Sequence, residues 1–167
     1  MFQDDLSALY AYNRWADDRV LEAARKLSPE QYAQEPLPGW TSVRATVVHV
    51  ADASLIWARR IAGEPVAARA KESDFPPLDD AAGLFDRAHD AYDRLLPTLT
   101  PERLAAVWSY RNFEGKELRL PLWTVLRHVV NHATYHRGQV ASKLKRLGVE
   151  PPSTDLVVWA IEQTARS

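Results

Sequence analysis

Three histidines, His128, His132 and His136, stand four residues apart in the stretch PLWTVLRHVVNHATYHRGQVASKLKRL, Pro121 to Leu147. On a helix, residues at that spacing stack one turn above another, about 6 Å along the axis. Two imidazoles so placed can converge on one metal ion. All three cannot, because about 12 Å of rise separates the outer pair. The pattern of the helix selects the pair. Leu122, Val125, Leu126, Val129, Ala133, Val140, Leu144 and Leu147 recur at helical spacing and form one apolar stripe. His136 falls inside the stripe, His132 at its edge and His128 clearly outside it. His132 and His136 therefore face the interior, and His128 faces solvent or a partner subunit. The same spacing is compatible with two imidazoles that satisfy hydrogen bonds on a partly buried face. A metal site needs a third ligand from elsewhere.

His49 is the candidate for that third ligand. It lies in a second long helix, Val43 to Ile61, whose Val43, Val47, Val50, Ser54, Trp57 and Ile61 share one face. His49 is displaced to the edge of that face, near Ala53 and Ile56. A site between helices draws a ligand from such a position, although a hydrogen-bonded core histidine also sits there. Facing helices of a bundle bring His49 to the His132/His136 pair, and three imidazoles then bind a divalent ion from one side. Neutral imidazole suits zinc, nickel, copper or iron and disfavours calcium. Three protein ligands leave a position open, as in catalytic zinc sites. The 167-residue chain has no cysteine, which excludes disulfides, zinc–thiolate sites and a protein thiol nucleophile.

The remaining sequence supplies the elements that position these residues. A first helix covers Phe2 to Leu27, with Leu6, Leu9, Tyr10, Ala16, Val20, Ala24 and Leu27 on its buried face. Asn13 lies within that face and Asp17 one turn on. A buried amide needs partners, in a structural clamp or around a metal's ligands. Ser28-Pro29-Glu30-Gln31 has the form of a helix cap, and Thr41-Ser42 caps the helix that carries His49. Arg44, Asp52, Arg59 and Arg60 read as that helix's solvated face. Residues 66–77 read as a long surface connection, in a position to help close a pocket. A third helix covers about Asp79 to Leu96, with His89 beside Asp90 and Asp93 as an exposed residue. Val107 to Leu120 alternates about a glycine-containing turn and predicts a β-hairpin. Pro121 opens the His-bearing helix; Lys143, Lys145 and Arg146 favour its C-terminal dipole, and Gly148 ends it. A short last helix, Leu156 to Ala165, packs Leu156, Val157, Trp159, Ala160 and Ile161 across the bundle.

Four long helices with short excursions predict an all-α, four-helix-bundle fold in one domain, 1–167, with the hairpin before the last long helix. A formal net charge of −1 argues against nucleic acid or an anionic membrane as a partner. No basic, apolar leader and no apolar run of about 18 residues is present, so a cytoplasmic location is expected. Trp123, Val130 and Ala141, on the far side of the helix from His128, predict a subunit contact.

YNRWADDRVL, TSVRATVVHVADASLIWARRIAG, YRNFEGKELRLPLW and HVVNHATYHRGQ together resemble the DNA-damage-inducible, DinB-like (DinB/YfiT-like) family of small bacterial four-helix-bundle proteins. The resemblance covers essentially the whole chain. It implies a metal triad at His49, His132 and His136, a divalent metal that is commonly zinc or nickel, and frequent homodimers. Characterised relatives include transferases that use low-molecular-weight thiols, such as bacillithiol, mycothiol or glutathione, and a thiol-dependent isomerase. The family name does not imply DNA contact. Three readings follow: a thiol S-transferase acting on a small-molecule electrophile; a metal-hydroxide hydrolase, for which Glu114 and Glu117 are the available bases; or a non-catalytic dimeric metal- or ligand-binding protein of a stress response. Gln139 lies near His132 on the helix and is a possible pocket residue, whereas Arg137 points elsewhere, to the surface or across a dimer.

Overall fold

Local sequence signals set the element boundaries of the computed structural model, which describes residues 2–165, with side chains from Asp5 onward. The helices are α1 (Phe2–Ala24), α2 (Pro29–Ala33), α3 (Val43–Ala62), α4 (Leu78–Leu95), α5 (Pro101–Ala105), α6 (Leu122–Arg146) and α7 (Leu156–Thr164). Strands β1 (Val107–Arg111) and β2 (Glu117–Pro121) form the hairpin. Ser28 makes a reciprocal capping box with Gln31 at the start of α2. The Ser42 hydroxyl accepts the Ala45 N–H at the start of α3, and Gly63 ends that helix at φ +79°. The first helix stops three residues before Leu27, whose N–H closes a turn on the Ala24 carbonyl.

The four long helices close a ring in the order α1, α4, α3, α6. Their apolar stripes meet in a core of two adjoining clusters. Around Val47, Leu84, Phe85, Val140 and Leu144 it joins α3, α4 and α6. Around Tyr10, Tyr92, Leu122 and Leu126 it joins α1, α4 and α6. Burying each such side chain stabilises the fold by about 1.5–3 kcal/mol. In the hairpin, Trp108 pairs with Leu120 and Tyr110 with Leu118, and these four turn toward the protein while Val107, Ser109 and Arg111 face outward. No helix among the described residues is long and apolar enough to cross a membrane.

Several charged residues lie deeper than their sequence context indicates. His89 is buried, not exposed, with Nε2 3.1 Å from Asp17 Oδ2. Arg137 is also buried rather than at the surface: Nη1 donates to Asp17 Oδ1 at 2.7 Å and to Asn13 Oδ1 at 2.8 Å. Asn13 completes the cluster by donating to Asp17 Oδ2 at 2.9 Å. The polar face of α6 turns inward here because α1 and α4 supply it with charge and hydrogen-bond partners. Asn13 is thus a structural clamp. Lys143, expected to serve the helix dipole, is buried and donates to Thr41 Oγ1 at 2.8 Å, to the Ser42 carbonyl at 3.3 Å and to Thr46 Oγ1. Burial pushes its ammonium pKa down. Asp52 is buried as well.

Two apolar surfaces are also rearranged. Val130 belongs to the core, so Trp123, Val130 and Ala141 make no open strip, and the Arg127 guanidinium covers Trp123 at 5.7 Å. The α7 helix turns only Trp159 of its five expected packing residues inward, against Tyr12. Polar ties fix it on that side: Tyr12 Oη donates to the Thr154 carbonyl at 2.9 Å, and Trp15 Nε1 to Glu162 at 3.0 Å. Leu156, Val157 and Ile161 stay exposed at 48%, 64% and 64%.

Candidate metal centre

The facing of α3 and α6 brings His49, His132 and His136 together. His132 Nε2 lies 3.3 Å from His49 Nε2 and 3.2 Å from His136 Nε2. An ion held tetrahedrally by nitrogens at about 2.0–2.1 Å requires its ligands to stand about 3.3 Å apart. The two separations match that requirement.

Proton accounting gives the same answer. His136 Nδ1 is 2.8 Å from Gln139 Oε1, an acceptor, so the ring's one neutral proton sits on Nδ1. His136 Nε2 is left with a bare lone pair facing the other two rings. A neutral His132 has one Nε2 proton at most, and it cannot satisfy both neighbouring nitrogens at once. A cation at the convergence point resolves the conflict, so the residues fit a divalent metal ion.

The electrostatics keep the rings in the form that binds metal. Burial pushes the His132 imidazole down to about 4, with the neighbouring His136, His49, His128 and Arg69 adding to the effect. Burial, His136 and Arg69 lower His49 in the same direction. The unfolded chain takes up the His132 proton near its ordinary 6.5, and the folded chain only near 4. Within that interval the unfolded state binds more protons, so the metal-free protein loses stability as pH falls through it. A plot of Tm against pH for the metal-free protein slopes more steeply between those values than the same plot for His132→Asn. Parallel curves would contradict the assignment.

His128 is exposed and stays outside the convergence, its ring 5.5 Å from His132 and 5.8 Å from Trp57. Gln139, marked only by its helical position, holds His136. Glu114 and Glu117 are exposed on the hairpin; Glu114 accepts from Asn112 at 3.5 Å, and Glu117 lies 4.0 Å from Arg111. Neither joins the three histidines. Sequence reading missed the aromatic cluster that meets His128 through Trp57. Trp57 contacts Tyr110 with ring centroids 4.9 Å apart, and Tyr110 stacks on Trp108 at 5.2 Å. Its signal was present in the alternation of Trp108 and Tyr110 along β1, which puts both rings on one hairpin face.

Comparison with known proteins agrees with this architecture. The model of the DinB family matches residues 1–165. The chain is similar to Protein DinB of Bacillus subtilis (strain 168), 28% identical over 154 residues that cover 88% of each chain. A DinB-like protein from Bacillus cereus ATCC 10987 superposes with a TM-score of 0.63 at 17% identity, over 92% of this chain and 99% of that one. A DinB-like protein from Bacillus subtilis gives a TM-score of 0.63 at 15% identity, over 88% and 97%. At such identities the structures show a shared fold.

Proposed function

Since the chain belongs to the DinB family, we propose that it is a metal-dependent enzyme that transfers a low-molecular-weight thiol to a small electrophile. The observation that carries this reading is the convergence of three imidazole Nε2 atoms from two helices, at separations suited to one divalent ion. His49, His132 and His136 would hold the ion, and zinc or nickel suits an all-imidazole set. When bound, it supplies Lewis acidity that favours the thiolate form of a small thiol near neutral pH. Gln139 fixes the His136 tautomer, which directs the free lone pair toward the ion. The chain has no cysteine of its own, in keeping with an external thiol. Transfer is favoured over hydrolysis because no carboxylate stands with the triad among the described residues.

Replacing Gln139 by alanine lowers zinc affinity about 10- to 100-fold, the usual cost of losing an outer hydrogen bond to a ligating imidazole. Competition against a chromophoric chelator measures this, and an unchanged affinity would remove Gln139 from the site. The reaction is tested with zinc- or nickel-loaded protein, 1-chloro-2,4-dinitrobenzene, and glutathione, bacillithiol or mycothiol in turn. Thiol-dependent consumption of the electrophile, absent in His132→Ala, is expected. Ester cleavage without a thiol would support the hydrolase instead, and no turnover in either screen would leave a non-catalytic metal-binding protein.

A cytoplasmic homodimer is part of the same proposal. The exposed Leu156, Val157 and Ile161 of α7 form an apolar face suited to a second copy. In sedimentation equilibrium, Leu156→Glu combined with Ile161→Glu turns a dimer into a monomer. A wild type that is monomeric at high concentration would remove the dimer.

A further inference from the structure

The connection between α2 and α3 meets α6 at a cavity of about 330 Å³, lined by Gly39, Trp40, Thr41, Gln139, Ser142 and Lys143. That volume is within the range of small-molecule sites. Gln139 joins the cavity to the metal centre. Its Oε1 takes the His136 Nδ1 proton at 2.8 Å, and its amide N–H groups have no partner among the described residues. Trp40 leaves its ring exposed, and neither another ring nor a cation stacks on it among the described residues.

Lys143 supplies the charge. It is 4% exposed, and its ammonium bonds three neutral oxygens, on Thr41, Ser42 and Thr46. Its donors are satisfied but its charge is not, because no carboxylate pairs with it among the described residues. The cavity itself has no acidic residue in its lining, whereas those along α4 carry Glu64 and Asp90 or Asp18 and Asp93. A buried charge without a counter-ion is costly, and an anion in the adjoining cavity reduces that cost. The hydroxyl protons leave room for one. Thr46 gives its proton to the Ser42 carbonyl at 3.1 Å, and Ser142 gives its own to Gly138 at 3.0 Å. Thr41 Oγ1 accepts from Lys143 at 2.8 Å, and the only other oxygen near it among the described residues, Thr46 Oγ1, is 3.4 Å away, too far for a good O–H···O bond. The Thr41 proton and the Gln139 amide are therefore both free to donate into the cavity.

We propose that this cavity binds a small carboxylate. One carboxylate oxygen accepts from the Gln139 amide and the other from the Thr41 hydroxyl, Lys143 compensates the charge, and the Trp40 ring takes the flat apolar body of the molecule. Hydrogen bonds to an ionised acceptor are the strong ones, and an open indole face suits a planar partner. The ligand class is then a small carboxylic acid with a planar apolar group, held one side chain from the histidine triad. As a substrate subsite it rests on the metal reading of His136, but the anion site itself does not.

The test is calorimetric titration of the full chain, supplied with zinc, with phenylacetate, with its neutral counterpart phenylacetamide and with acetate. Metal content is measured on the same samples. Phenylacetate is expected to bind, phenylacetamide and acetate at least tenfold more weakly. Lys143→Met and Thr41→Val are each expected to weaken phenylacetate by about tenfold at unchanged zinc content. Trp40→Ala is expected to weaken it by about fivefold and to leave acetate unchanged. Thr41 and Trp40 are exposed, so their variants read the site even where Lys143→Met fails to fold. Failure of phenylacetate to bind, equal binding of phenylacetamide, or wild-type binding by Thr41→Val and Trp40→Ala overturns the proposal, the last by assigning the carboxylate to the metal. Acetate as strong as phenylacetate overturns the role of Trp40. Binding that depends on Thr41 and Trp40 in a wild type that holds no zinc would uphold the anion site and defeat the metal reading. Zinc retained with binding independent of both residues would do the reverse.

Discussion

Replacing Arg137 by methionine lowers the stability of the metal-free protein by about 3–5 kcal/mol, the usual cost of removing one partner from a buried ion pair. Arg137 and Asp17 are 3% and 2% exposed at their side chains, and their closest atoms are 2.7 Å apart. Without the guanidinium, the Asp17 carboxylate keeps the amide of Asn13 and the imidazole of His89, but no permanent positive charge. It must then remain as a poorly compensated charge, or take up a proton. For a chain of this length the loss corresponds to a fall in Tm of roughly 10 °C. Urea unfolding followed by circular dichroism measures it. A second variant separates charge from packing: Asp17→Leu together with Arg137→Met removes the stranded carboxylate and recovers much of the loss. A single variant within about 1 kcal/mol of wild type would show that the pair contributes little beyond what Asn13 and His89 supply to Asp17. The pair also bears on function, because Arg137 follows His136 directly and ties that turn of α6 to α1.

The second large effect concerns the triad. His49→Ala, His132→Ala and His136→Ala each lower zinc affinity by about 100- to 1,000-fold, the share that one of three or four ligands contributes to binding of this kind. His132 is the most consequential, since its Nε2 lies within 3.3 Å of both other ligand atoms. His128→Ala leaves the affinity unchanged, since that ring lies outside the convergence. Chelator competition on folded protein reports all four. Equal losses for His128 and His132 would mean that the metal bridges a different pair on α6. An unchanged affinity in any of the three would remove that residue from the ligand set.

Spacing and capping made the main features of the fold legible. The four-residue interval of the α6 histidines and the phase of the apolar stripe separate His132 and His136 from His128 without any structure. Ser42, Gly63 and the prolines mark the helix ends by local chemistry. His49 at the edge of its stripe already indicated a position between helices. What stayed hidden depends on partners distant in the chain. Asp17 and Arg137 are 120 residues apart, so a charged residue on the polar side of α6 reads as solvated until α1 packs against it. His89 and Asp52 were misplaced for the same reason: each is buried by a neighbour that its own helix does not reveal. The α7 face erred in the opposite sense. Its apolar residues read as core, but the polar ties of Tyr12 and Trp15 hold the helix by its other side.

The most direct test of the metal centre is metal content, measured by plasma mass spectrometry on untagged wild-type protein purified without added metal and again after zinc or nickel is supplied. The expected result is one divalent ion per chain at saturation. Folded protein that holds none after both metals are offered would contradict it. The three histidines would then be packing residues, and the enzymatic reading would fall with them.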